Sequence, residues 1–200
     1  ACQTVLGDYF CGGVVLTKYG LSQPLDGIEV IEAGHPLPDA AGVRGARRIL
    51  AFIGETGPDD LIIALVSGGG SALLTLPVEG VSLAELQSLN IDLLRSGATI
   101  HQINTIRKHL SQVKGGNLAH RFSPARVVTL ILSDVVGNDL DVIASGPLSP
   151  DPTTFAAAWE TLTSCGLQKD TLGGVISHLK MGLRGEIPET PKNGDPVFER

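Results

Sequence analysis

The chain has 200 residues, 42% of them hydrophobic and 18% charged, which is enough apolar material for one sizeable core. With 25 glycines and only 4% aromatic residues it suits an α/β protein rich in tight turns better than an aromatic-packed sandwich. A formal net charge of -6 excludes a general nucleic-acid binder, which needs a basic surface against phosphates.

In chain order, Gly13–Lys18 (GVVLTK) and Ile28–Ala33 (IEVIEA) are short, β-branched and bounded by glycine, proline or aspartate, so both are expected to be strands. Val43, Ala46, Ile49, Leu50 and Ile53 recur at helical spacing and predict an amphipathic helix between Ala40 and Glu55. Asp60–Val66 and Val127–Leu132 read as fully apolar strands, of the kind buried on both faces in a parallel sheet. Ser82 and Glu85 form a capping box for a helix from Leu83 to Ser96, ended by Gly97. Further helical stretches are expected at Thr99–Leu110, Lys114–His120, Thr153–Ser164 and Asp170–Leu183. The segment 185–200, with Pro188, Pro191 and Pro196, reads as a linker or tail. Strands alternating with helices imply βαβ units: a parallel, Rossmann-like sheet with helices on both faces and ligands outside the carboxyl ends of its strands.

Cys2, Cys11 and Cys165 are odd in number and lack CxxC spacing, which fits reduced thiols in a cytoplasmic protein. No apolar run approaches the roughly 20 residues that span a bilayer. Opening at Ala1, with Met181 as its single methionine, the chain reads as part of a longer fold.

Four stretches carry candidate chemistry. In LIIALVSGGGSA an apolar strand runs into Ser67, Gly68, Gly69, Gly70 and Ser71. Successive N–H groups in such a turn can cradle an anion, aided by the dipole of a following helix; a plain strand-to-helix turn is the alternative. It is not a P-loop, because the GxxxxGK[ST] lysine is absent. In LSDVVGNDLDVIASGP, Asp134, Asp139 and Asp141 surround Gly137, an oxygen set suited to a hard divalent cation or, alternatively, to turn capping. Asp134 stands just past the strand and is the first choice; Asp141 is read as structural. In GATIHQINTIRKHLSQVKGG, Asn104, Arg107 and Lys108 share one helix and are read as aimed at one space, followed by Lys114 before a glycine pair. A solvated helix face would also account for these charges. HPLPD, His35–Asp39, is a stiffened loop in which His35 either lines a site or shapes the turn.

Taken together, GGVVLTKYG, EAGHPLPD, VSGGGSALL, RSGATIHQINTIRKHLSQVKGG, LSDVVGNDLDVIASGP and PDPTTF resemble, in order, the motifs of the glycerate 2-kinase family, also labelled hydroxypyruvate reductase. The resemblance implies ATP-dependent, Mg2+-assisted phosphorylation of the 2-hydroxyl of D-glycerate in a cleft between two α/β domains. On it, Asp134, Lys114 and Arg107 are expected to be catalytic, and Asp134 and Asp139 to hold the metal. Ser67–Ser71, Asn104 and Lys108 are expected to bind phosphate or substrate. Residues 1–184 would form most of the amino-terminal domain. The implied partner is the small-molecule substrate, with neither nucleic acid nor membrane, and homo-oligomerisation is left open. Three features depart from the family: no glycine-lysine-alanine segment precedes Ala1, Asn138 stands where aspartate is common, and Leu148 where threonine is common. An NAD(P)H-dependent hydroxypyruvate reductase and a non-catalytic anion-binding fragment are the rival readings; Ser67–Ser71 supplies no GxGxxG for the former.

Overall fold

The computed structural model describes residues 2–133, 135 and 137–199. The element order is α1 (Cys2–Leu6), β1 (Gly13–Lys18), β2 (Ile28–Ala33), α2 (Ala40–Ile53), β3 (Leu61–Ser67), α3 (Gly70–Leu73), α4 (Leu83–Arg95), α5 (Ile100–His109), α6 (Asn117–Phe122), β4 (Arg126–Leu132), α7 (Phe155–Ser164) and α8 (Gly173–Leu183).

Parallel pairing follows the apolar runs. β1 pairs with β2 from Gly13–Ile28 to Lys18–Ala33, and β3 with β4 from Leu61–Arg126 to Ser67–Leu132. Both registers bring carboxyl ends side by side, so that Ser67 neighbours Leu132 and Lys18 neighbours Ala33. The class is α/β with parallel strands, as the alternation of elements predicts. Among the described residues the strands form two two-stranded sheets.

Two larger apolar clusters hold most of the elements, and a third, small one of Ala33, Ala41 and Leu73 joins β2, α2 and α3. α2, β3, α6 and β4 meet around Ala46, Ile53, Leu118 and Phe122, with Ile62, Ala64 and Val127 packed against them. α4, α5, α7 and α8 meet around Leu89, Leu93, Ile106, Leu162, Val175 and Leu179. Helix starts are fixed locally: Ser82–Glu85 and Thr99–Gln102 form reciprocal capping boxes, and Thr154 caps α7 through the Ala157 amide.

The outer face of β3 and β4 corrects one expectation. Leu61, Leu65, Val128, Leu130 and Leu132 are each about half exposed or more, so these strands are covered on one face only. Continuous apolarity records the hydropathy of both faces, not which of them finds a partner within these 200 residues. The stretch 185–200 is irregular backbone, but it lies against the body instead of leading away from it. Glu189 accepts from the Phe155 amide (2.9 Å), Thr190 donates to Asp151 (2.9 Å), and Pro191 O accepts from the Asp151 amide (2.9 Å).

Candidate functional site

The carboxyl end of β3 leads into the glycine turn. Gly69 caps α3 in the left-handed region at φ +82, and a Cβ there would stand 3.0 Å from His35 Nε2 and 3.5 Å from Lys18 Cε. The turn therefore lies against a histidine and a lysine that come from the ends of the other strand pair. α3 is a single turn, Gly70–Leu73, so the dipole expected of a helix after the glycines contributes little. The anion-binding capacity of this corner rests on its amides and on Lys18. His35 belongs to a loop whose far end is fixed by Asp39, which caps α2 through the Gly42 amide and accepts from Tyr19 Oη at 2.6 Å. Burial pushes the Asp39 carboxyl up, but the Tyr19 hydroxyl and the Gly42 amide outweigh it and leave it below its ordinary value.

Behind the turn runs a chain of hydroxyls. Ser71 Oγ lies 2.7 Å from Ser145 Oγ, and Ser145 donates to Asn104 Oδ1 at 2.9 Å. Because Ser145 gives its proton to Asn104, Ser71 gives its own to Ser145, which leaves the Ser71 oxygen as an acceptor. Asn104 Nδ2 in turn donates to Val142 O at 3.3 Å. Helix α5 thus props the loop 139–146 beneath the glycine turn. That loop carries three consecutive left-handed residues, Ala144 (φ 51), Ser145 (φ 63) and Gly146 (φ 58). At position 146 a Cβ would come within 2.8 Å of Asp141 Cα, so only glycine fits.

The polar residues of α5 diverge. Asn104 serves the loop, whereas Arg107 Nε donates to Asn90 Oδ1 at 2.7 Å on α4 and lines a small cavity with Lys114. Lys108 is engaged by two carboxylates and also contributes to the lining of a groove between α2 and the loop 76–83. It is 1% exposed, and its ammonium lies 2.7 Å from Asp141 and 3.2 Å from Asp151. The helical spacing of Asn104, Arg107 and Lys108 fixes their directions around α5 but not which neighbouring segment fills each direction. Asp151, wholly buried, also accepts from the Thr153 amide and hydroxyl and from Thr190. Burial pushes its carboxyl up, but the Thr153 bonds and the Lys108 charge prevail and hold it below its ordinary value.

Lys114 is 5% exposed and donates to Leu74 O. Burial, reinforced by the nearby Arg107 charge, lowers its pKa to about 7. Arg107 is likewise lowered by burial.

In the aspartate loop, Asp139 is exposed and its carboxylate accepts no hydrogen bond from a described residue, while Asp141 is held by Lys108. Asp134 lies outside the described residues. Asn138 adopts φ 57, a left-handed conformation that the short side chains of asparagine and aspartate tolerate. Leu148 packs with the Leu76, Val113 and Leu118 cluster, where its methyls replace a hydroxyl. Among the described residues no group of three His, Cys, Asp or Glu side chains is placed to hold a metal. A larger groove of about 1340 Å3 runs between α2 and the loop 76–83, but none of Ser67–Ser71 lines it.

Lys18, Ser145 and Asp151 join this arrangement without having been singled out from sequence. Lys18 stood at a strand end, where ligands of parallel sheets gather, and Ser145 lay within a motif already flagged for its aspartates.

Comparison with known proteins supplies the remaining context. The chain is 52% identical over 194 residues to a D-glycerate 2-kinase of Thermotoga maritima, covering 96% of this chain and 44% of that protein. It is 48% identical over 184 residues to a glycerate 2-kinase of Pyrococcus horikoshii, covering 92% and 42%. The crystal structure of glycerate kinase from Thermotoga maritima superposes with a TM-score of 0.87 at 48% identity, over 96% of this chain and 44% of that one. The chain thus spans less than half the length of these relatives. The family described as Domain of unknown function (DUF4147) matches residues 1–180, and the chain belongs to it.

Proposed function

We propose that this chain, within a polypeptide of full family length, takes part in ATP-dependent phosphorylation of the 2-hydroxyl of D-glycerate. The observation that carries the proposal is the glycine turn at the adjoining ends of β3 and β4, with Lys18 and His35 against it. Phosphoryl transfer asks a protein for placement and charge neutralisation more than for covalent chemistry. The turn offers backbone amides, Lys18 offers positive charge, and the Asn104–Ser145–Ser71 chain holds the turn in place. The similarity to proteins named glycerate 2-kinase supports the same reaction.

The exposed Asp139 carboxylate suits Mg2+, which takes one or two carboxylates and completes its shell with substrate oxygens and water. Bound there, with Asp134 as the second ligand, the ion would neutralise phosphate charge. Arg107 and Lys114 add positive charge behind the turn. Free Cys11 and Cys165 suit a reducing cytoplasm, and no helix among the described residues is long and apolar enough to cross a membrane. An NAD(P)H-dependent reductase finds no dinucleotide fingerprint at the glycine turn.

The test is a pair of coupled assays on the full-length polypeptide. ADP release that requires both D-glycerate and Mg2+ is expected, with little NADH oxidation on hydroxypyruvate. Robust NADH-dependent turnover without ATP would overturn the reading.

A further inference from the structure

Arg107 and Lys114 present an unusual balance of charge. Both are largely enclosed and both line one cavity of about 30 Å3, shared with Ser71, Asn90, Pro36 and Pro38. No aspartate or glutamate lines that cavity, and among the described residues neither cation has a carboxylate partner. The described acceptors are neutral: the Leu74 carbonyl for Lys114 and the Asn90 amide oxygen for Arg107. An ammonium has three N–H groups and a guanidinium five, so each side chain keeps donors beyond these bonds, while among the described residues no buried side-chain nitrogen or oxygen lacks a hydrogen-bond partner. Burying charge without a counter-ion is expensive, and interiors normally pair it.

Resting on the kinase reading above, we infer that the Arg107–Lys114 cavity receives the carboxylate of the 2-hydroxy acid, while the glycine turn is left to the phosphoryl group. The cavity is small, about 30 Å3, which suits a compact planar carboxylate head better than a bulkier tetrahedral phosphoryl group. The guanidinium fork can hold a carboxylate by two parallel bonds, as it also can a phosphate, and the ammonium adds a point charge beside it. Ser71 ties the cavity to the turn, because it belongs to the glycine segment and also lines the cavity. A short acid held there by one end would present its neighbouring hydroxyl towards the turn.

Lys114 titrates near neutrality, which makes the assignment readable without turnover. An anion beside Lys114 favours its charged form, so binding raises that pKa, and affinity for the acid falls about tenfold per pH unit above about 7.

The experiment follows the Lys114 ammonium by nitrogen-15 NMR in the full-length polypeptide while D-glycerate, acetate, glycerol or inorganic phosphate is added. D-glycerate and acetate should raise the pKa by at least about one unit. Glycerol and inorganic phosphate should leave it unchanged. In steady-state assays Lys114→Met should raise KM for D-glycerate at least about tenfold. KM for ATP should stay within about twofold, and the melting temperature should hold or rise because an unpaired buried charge is gone. A Lys114 that answers phosphate but not acetate, or a variant whose KM for ATP rises instead, would overturn the carboxylate assignment. So would a variant that melts lower with both KM values unchanged. Loss of D-glycerate phosphorylation with the acetate response intact would count against the kinase reading alone. A silent Lys114 in an active kinase would count against the carboxylate site alone.

Discussion

Asp151 shows how one buried carboxylate can organise several segments. It accepts from Thr153, Thr190 and Lys108, and so joins the start of α7, the stretch around Thr190 and helix α5. Asp151→Asn keeps the shape but removes the charge, leaving Lys108 with Asp141 as its remaining ion-pair partner. Breaking one member of a buried ion pair typically costs about 3–5 kcal/mol, and the surviving Asp141 contact places this case at about 3 kcal/mol. The pH dependence follows from the lowered carboxyl pKa. The unfolded chain binds the Asp151 proton more readily, so the stabilisation is full above the ordinary aspartate value and fades as pH falls through the folded value. Urea unfolding of both proteins between pH 7 and pH 3 should show a gap that is constant down to the ordinary aspartate value and narrows only below it. A gap independent of pH would assign the loss to packing. The sequence showed Asp151 only as part of a proline-rich turn, because its burial depends on a threonine 39 positions away.

At the level of elements, what could be read from sequence was what is local. β1 and β2 have the limits that their β-branched runs predict, and the Ser82 capping box starts α4 as expected. The Lys114–His120 stretch is different: the helix starts only at Asn117, because Gly115 (φ 57) and Gly116 (φ 81) both take left-handed backbone before it. At the candidate site the glycine turn was visible, since three glycines after an apolar strand leave few alternatives. The support under it was not. Asn104 reaches Ser145 across 41 positions, and no local pattern encodes which loop an interior amide will meet. The aspartates of the 139–146 loop drew attention by their charge, whereas its contacts to the turn are made by Ala144 and Ser145.

For the molecule as a whole, the bare side of β3 and β4 is the largest mismatch between composition and environment. Leu65 and Leu130 are register partners, 66% and 56% exposed, and an apolar patch of this kind marks an interaction surface or an aggregation liability. Leu65→Thr with Leu130→Thr should sharply reduce binding of a hydrophobic dye by the 200-residue chain. Stability should change by no more than about 0.5 kcal/mol, as for surface substitutions. A large drop in melting temperature would show that the face is packed in solution. Elsewhere α3 meets the 139–146 loop in a narrow contact between Gly70, at the head of α3, and Ala144, whose Cβ lies 3.1 Å from where a Gly70 Cβ would stand. Ala144 also occupies left-handed backbone, a conformation that glycine adopts without strain. A methyl group gained at position 70 makes Ala144 give way by a few tenths of an ångström, a crowding that is removed if the methyl is given up at 144, and the second change relieves strain of its own. Gly70→Ala and Ala144→Gly should be strongly non-additive in a double-mutant cycle, the pair more stable than the sum of its parts. The two positions thus share room for a single methyl across this joint.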